Sequence, residues 1–107
     1  MENNRVVLCG QVVEIDELRY TPAGVPLVKF RLSHTSEQNE GGISRKVECE
    51  VEVVALDQSG LAASRLKIGE AVCLDGFLAR KHRLGNQLVL HVNKLKRTPQ
   101  ISDVPTE

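Results

Sequence analysis

Ser44-Arg-Lys-Val-Glu-Cys-Glu-Val-Glu-Val-Val-Ala-Leu56, running straight into Asp57-Gln-Ser-Gly-Leu-Ala-Ala-Ser-Arg-Leu66, decides the fold. The first segment alternates with a period of two. Val47, Cys49, Val51, Val53 and Ala55 fall on one side, and Lys46, Glu48, Glu50 and Glu52 on the other, as in a strand with one buried face. The second opens with a cap-competent Asp and groups Leu61, Ala62, Ala63 and Leu66, which predicts a helix of about two turns.

Strands flank this pair on both sides. Val6 to Ile15 is rich in Val and Leu and is interrupted at Gly10, the expected place for a bend or bulge. Asp16 to Tyr20 continues it after a break. Thr21-Pro-Ala-Gly24 reads as a turn, with Pro presetting φ and Gly supplying φ > 0. Pro26 to Ser36 alternates again, Val28, Phe30 and Leu32 inward against Lys29, Arg31 and Ser33 outward. A polar loop is expected from Glu37 to Gly42.

After the helix, Ala71 to Lys81 forms a fourth strand with Val72, Leu74, Gly76 and Leu78 on its buried side. His82 to Asn86 is a loop, and Leu88 to Leu95 is a fifth strand. The expected fold class is all-β: a five-stranded OB-fold barrel with a short helix between strands 3 and 4. Closure into a barrel removes the exposed edges that five strands in an open sheet would present. The OB-fold domain is expected to span 1–97, with 98–107 a flexible C-terminal tail.

Composition narrows the function classes. The 107 residues suit one domain, and 41% hydrophobic content suits one ordinary core. No apolar run approaches the ~20 residues of a membrane span, and the N-terminus lacks the layout of a signal peptide, so a cytoplasmic protein with no membrane partner is expected. Cys9, Cys49 and Cys73 lie far apart inside strand-like runs, a pattern expected of reduced, buried thiols and not of a disulfide or a metal site. Neither a metal nor any other cofactor is expected. No nucleophile–base–orienter pattern and no phosphate-cradling glycine loop is present, so no enzyme is expected.

Charge distribution carries the positive signal. Fourteen Lys/Arg balance fourteen Asp/Glu overall, yet residues 76–97 hold six Lys/Arg and no acid, while residues 37–57 hold six acids and two bases. A one-signed surface attracts polyanions. A single strand is held by cations along its phosphates and by flat side chains under its bases. The candidate nucleic-acid-binding residues are Arg80, Lys81, His82 and Arg83 on the loop between the fourth and fifth strands, Arg45 and Lys46 at the entry to the third strand, and Lys29 and Arg31 on the outer face of the second. The three glutamates opposite Lys29 and Arg31 are expected to take part of that charge as cross-strand ion pairs. Stacking groups are few: Phe30 shares the core parity, Tyr20 abuts the turn, and Phe77 points outward or to a subunit seam.

Several segments resemble bacterial single-stranded DNA-binding proteins: Asn4-Arg-Val-Val-Leu-Cys-Gly10, Leu18-Arg-Tyr-Thr-Pro-Ala-Gly24, Phe30-Arg-Leu32, and Gly69-Glu-Ala-Val-Cys-Leu-Asp-Gly-Phe-Leu78. Within that superfamily the chain is most similar to the PriB family (primosomal replication protein N). That similarity rests on Gly24-Val-Pro26, His34, Gly76-Phe77, Val89-Leu-His91 and a chain of about a hundred residues. It departs from the general binding proteins in carrying no tryptophan and no long acidic tail. The PriB resemblance implies a homodimeric, non-catalytic accessory factor of the replication-restart primosome that binds single-stranded DNA and recruits or stimulates PriA helicase. It places the binding surface near Arg45 and the basic loop. Two other readings stay open on the residues: a protein-docking module with minor DNA contact, and a general single-stranded nucleic-acid binder, RNA included.

Overall fold

In the computed structural model, which describes residues 2–98, the element order is β1 (Val6–Ile15), β2 (Arg19–Tyr20), β3 (Pro26–Glu40), β4 (Ile43–Leu56), α1 (Gln58–Ala63), β5 (Ala71–Arg80) and β6 (Leu88–Arg97). The hydrogen-bonded order is β1-β5-β6-β4-β3-β2, and β1 closes the circuit by pairing also with β3. Apart from the two-residue β2, these are the five strands of an OB barrel, with the helix between the third and fourth of them. β1 serves both halves of the barrel: Val6–Gln11 runs antiparallel to β5, and Gln11–Ile15 runs antiparallel to β3. The register slip that lets it turn from one neighbour to the other falls between Val12 and Glu14, not at Gly10.

The alternation did its predicted work in the barrel body. Val12, Val28, Leu32, Val53, Val72, Leu74 and Leu90 are fully enclosed, and Phe30 joins them at 4% exposure. Ala63 and Leu66, from α1 and the turn after it, close one end of this core. The helix ends at Ala63, short of the expected Leu66, and the chain leaves it through tighter turns, Leu66 N–H donating to the Ala63 carbonyl at 3.0 Å. Asp57 stands at its N-cap with φ 61° and makes no side-chain capping bond.

Beyond the barrel the hairpin of β3 and β4 continues as an arm. Pairing persists from Leu27↔Leu56 to Glu40↔Ile43, so the expected Glu37–Gly42 loop shrinks to the two residues Gly41-Gly42. Both have positive φ, 61° and 82°, the backbone handedness that matches a two-residue turn to the twist of its strands. β1 leaves β3 at Ser33, so the arm beyond has no third strand over its apolar side. That is why Cys49, expected in the core, is exposed, and why Val47 and Val51 are only half-buried. Leu78 departs for a related reason. β1 begins at Val6, opposite Gly76, so β5 beyond that point has lost its neighbour on one side, and Leu78 is 36% exposed.

The cysteine expectation is corrected. Cys9 and Cys73 sit directly opposite each other in the β1–β5 register, with Cα atoms 4.0 Å apart, and form a disulfide. Their 64-residue separation hid a pairing that antiparallel register creates. Neither is buried, because both point away from the core on strands whose alternate residues, Leu8 and Leu74, point into it. The fifth strand extends to Arg97, two residues past its expected end, and the tail from 99 onward lies outside the described residues.

Candidate nucleic-acid interface

β3 and the end of β5 with the β5–β6 loop bring candidate residues from distant parts of the chain to one groove of about 420 Å³, which β4 helps to line. Lys29 and Arg31 reach it from the outer face of β3, and Arg80, Lys81 and His82 from the end of β5 and the loop after it. The loop is braced at its base by Lys81 N–H donating to the Gln87 carbonyl at 2.8 Å, and within it by Gly85 N–H donating to the His82 carbonyl at 3.2 Å. Phe30 and Val89, both buried, form the groove's floor, with Val53 beneath β4.

The groove is less one-signed than its basic strand suggested. Four Lys/Arg face three carboxylates there, since β1 contributes Glu14, the turn after it Asp16, and β4 Glu52. Arg31 donates to Glu14 at 3.1 Å and lies 3.7 Å from Glu52, its direct partner across the ladder. Lys81 donates to the same Glu52 oxygen at 3.0 Å. That hydrogen bond, with the positive charges of Lys81, Arg31 and Lys29, holds the Glu52 carboxyl below the usual carboxylate range against the opposing effect of its desolvation. The expected cross-strand pairing thus occurs at Arg31, which also lies 4.0 Å from Glu50. Lys29 faces Val54 instead and, with Arg80, has no ion-pair partner within 4 Å among the described residues.

Three of the eight candidates are not gathered here. Arg45 and Lys46 ride the arm, seven and six positions along β4 from Glu52 at the groove, which puts them roughly 20–23 Å away at the rise of a strand. Arg45 donates to Glu40 at 2.7 Å, and Lys46 lies 3.5 Å from Glu48. Exposed pairs of this kind are worth ~0–1 kcal/mol, little enough for a phosphate to replace the carboxylate. Arg83 is exposed at the loop's tip and does not line the groove.

Sequence reasoning missed His91. It alternates with the buried Leu90 and Val92, which turns its ring outward into the groove wall. Its cross-strand partner is Phe77. The two rings stack with centroids 5.1 Å apart and planes 4° from parallel. The available signal was parity in two strands together, and the register between them was needed to use it. Gly76 makes the approach possible: a Cβ there would stand 1.8 Å from the His91 carbonyl oxygen.

Residues 4–94 match the model of a family described as another single-strand binding protein family. The chain is similar to the replication restart protein PriB of Nitrosomonas europaea, at 42% identity over 86% of this chain and 85% of that one. It is also similar to the same-named protein of Photorhabdus laumondii, at 34% identity over 90% of this chain and 94% of that one. Among solved structures, PriB from Ralstonia solanacearum superposes with a TM-score of 0.82 at 35% identity, covering 90% of this chain and 98% of that one. The single-stranded DNA binding protein of Thermus aquaticus, at 20% identity and a TM-score of 0.76, covers 94% of this chain and 52% of that one, and shares the fold.

Proposed function

Because this chain belongs to the PriB family of replication restart proteins, within the single-strand binding proteins, we propose that it grips single-stranded DNA through its groove and hands it to the restart primosome. Membership makes it a DNA-binding protein and not an enzyme. The observation that carries the site is the convergence of Lys29, Arg31, Arg80, Lys81 and His82 from two segments, β3 and the end of β5 with its following loop, onto one concave surface. Cations in that arrangement follow a phosphate backbone without reading its sequence. On the arm, Lys46 shares the outward face of Glu50 and Glu52 and extends the track, while its neighbour Arg45 alternates to the opposite face and Arg83 stands at the tip of the loop.

The partners follow from the same reading. PriA helicase is the protein partner, working with this chain at stalled forks in the cytoplasm, and a second copy of the chain completes a homodimer. Supporting the homodimer, Val6–Gly10 pairs with β5 on one edge while β3 has already diverged from the other, and Val7 is 61% exposed there. An unpaired strand edge is a template for a further strand.

Fluorescence polarisation of a labelled oligothymidylate over a salt series tests the site. The expected result is binding that weakens steeply with salt and is lost in the Arg80→Ala/Lys81→Ala/Arg83→Ala variant. Undiminished binding by that variant overturns the placement. Adding a PriA helicase to the same titration tests the protein partner, with a slower-tumbling ternary complex as the expected outcome. Sedimentation at twice the 11.8 kDa chain mass tests the homodimer.

A further inference from the structure

The basic groove does not stop at its floor. A second cavity of about 350 Å³ adjoins it, lined by Leu56, Asp57, Ser59 and Phe77 among others. Val54 and His91 border both. These two residues face each other across the parallel β4–β6 pairing that closes the barrel, so the two cavities form one trough over that seam. On the Phe77 side the wall is flat, the stacked Phe77–His91 pair described above, and Phe77 is 36% exposed.

Phe77 presents an aromatic ring at the end of the cationic groove, held parallel to the His91 ring beside it. We propose that Phe77 and His91 form a stacking platform for the bases of a single strand, leading it out of the cationic groove and over the β4–β6 seam. The proposal rests on the single-strand-binding reading and deepens it. The cations of the groove hold the phosphates, and the platform supplies the base contact that the chain otherwise lacks. Tyr20 is 60% exposed but stands on the β2–β3 side, and Phe30 is buried beneath the groove. Stacking on an aromatic face tolerates any base, because every base has a π-face, so the platform adds affinity without sequence preference.

Phe77→Leu keeps apolar bulk and removes the flat face, while Phe77→Trp places a fluorophore there in a chain that contains no tryptophan. Polarisation titrations compare oligothymidylate with an abasic oligomer of equal length across a salt series, with circular dichroism melting as the fold control. The expected result for Phe77→Leu is a loss of roughly 5- to 150-fold on oligothymidylate, the range of one base–aromatic contact. Affinity for the abasic oligomer and the salt slope should stay as in the parent. Oligothymidylate should quench the tryptophan introduced at position 77.

Equal binding of oligothymidylate by parent and Phe77→Leu, with no quenching in Phe77→Trp, overturns the platform while leaving the groove intact. An equal loss on both oligomers overturns it too, since it marks a structural role. A parent that binds neither oligomer sinks the single-strand reading, and the platform with it.

Discussion

Glu52 decides how much of the groove's charge is available to a polyanion. One of its oxygens is shared by Lys81 at 3.0 Å and Arg31 at 3.7 Å, while the other is buried without a hydrogen-bond partner. Glu52→Gln keeps the shape and removes the charge. Lys81 then loses its ion-pair partner, and Arg31 is released as far as its remaining contacts with Glu14 and Glu50 allow. Each additional phosphate neutralised steepens the salt dependence of single-strand binding by about 0.7 in log–log slope. One or two freed cations therefore add about 0.7 to 1.4. Between 50 and 200 mM salt, that makes the variant's fall in affinity roughly three- to sevenfold greater than the parent's. The variant should also bind more tightly than the parent at the low-salt end. Polarisation titrations of labelled oligothymidylate at four or five salt concentrations measure both quantities. A slope equal to or shallower than the parent's would refute the reasoning, because it would mean that neither Lys81 nor Arg31 reaches a phosphate when released.

Three further outcomes follow from packing, covalent linkage and charge. Gly76→Ala drives a Cβ to 1.8 Å from the His91 carbonyl oxygen, a clash with backbone that no rotamer relieves. It should cost at least the ~1–3 kcal/mol of core overpacking, read as a lowered urea midpoint. Reducing the Cys9–Cys73 bridge, or replacing Cys9 by Ser, should lower stability by up to ~4 kcal/mol, the unfolded-state entropy of a loop of this length. Thiol labelling after denaturation should find one free cysteine, Cys49, before reduction and three after it. Asp75 receives hydrogen bonds from Arg5 at 2.7 and 3.0 Å, and these, ahead of the charge of Arg5 itself, hold its carboxyl below the usual range. Its contribution to stability is thus complete above that range and lost as pH falls through the lowered value. Melting temperatures of Asp75→Asn should therefore decline less steeply than the parent's on the acid side, and equal slopes would count against the pairing.

The elements were legible because each rests on local chemistry. Period-two patterning marked the strands, and the Leu-Ala-Ala cluster marked the helix. Thr21-Pro-Ala-Gly24 closed as expected, Gly24 N–H donating to the Thr21 carbonyl at 2.7 Å with φ 83° at Gly24. The errors sit where a pattern continued but its surroundings did not. Cys49 keeps the inward parity of Val53, yet it lies on the arm beyond the last rung of β1, so parity no longer meant burial. The hairpin's length was misjudged because Glu37–Glu40 is polar on both faces, as a strand outside any core can be.

Parity and turn chemistry in the chain were enough to set which residues share a face and where the backbone reverses, and so to identify a closed barrel with cations on its outer surface. They carried no information about register between strands far apart in sequence. Only the folded sheet put Cys9 against Cys73, Phe77 against His91, and Glu52 between Lys81 and Arg31. A side chain's face follows from its neighbours one and two residues away. Its cross-strand partner is chosen by the packing of the whole barrel, and here those partners set how much of the cationic groove is free for a strand to bind.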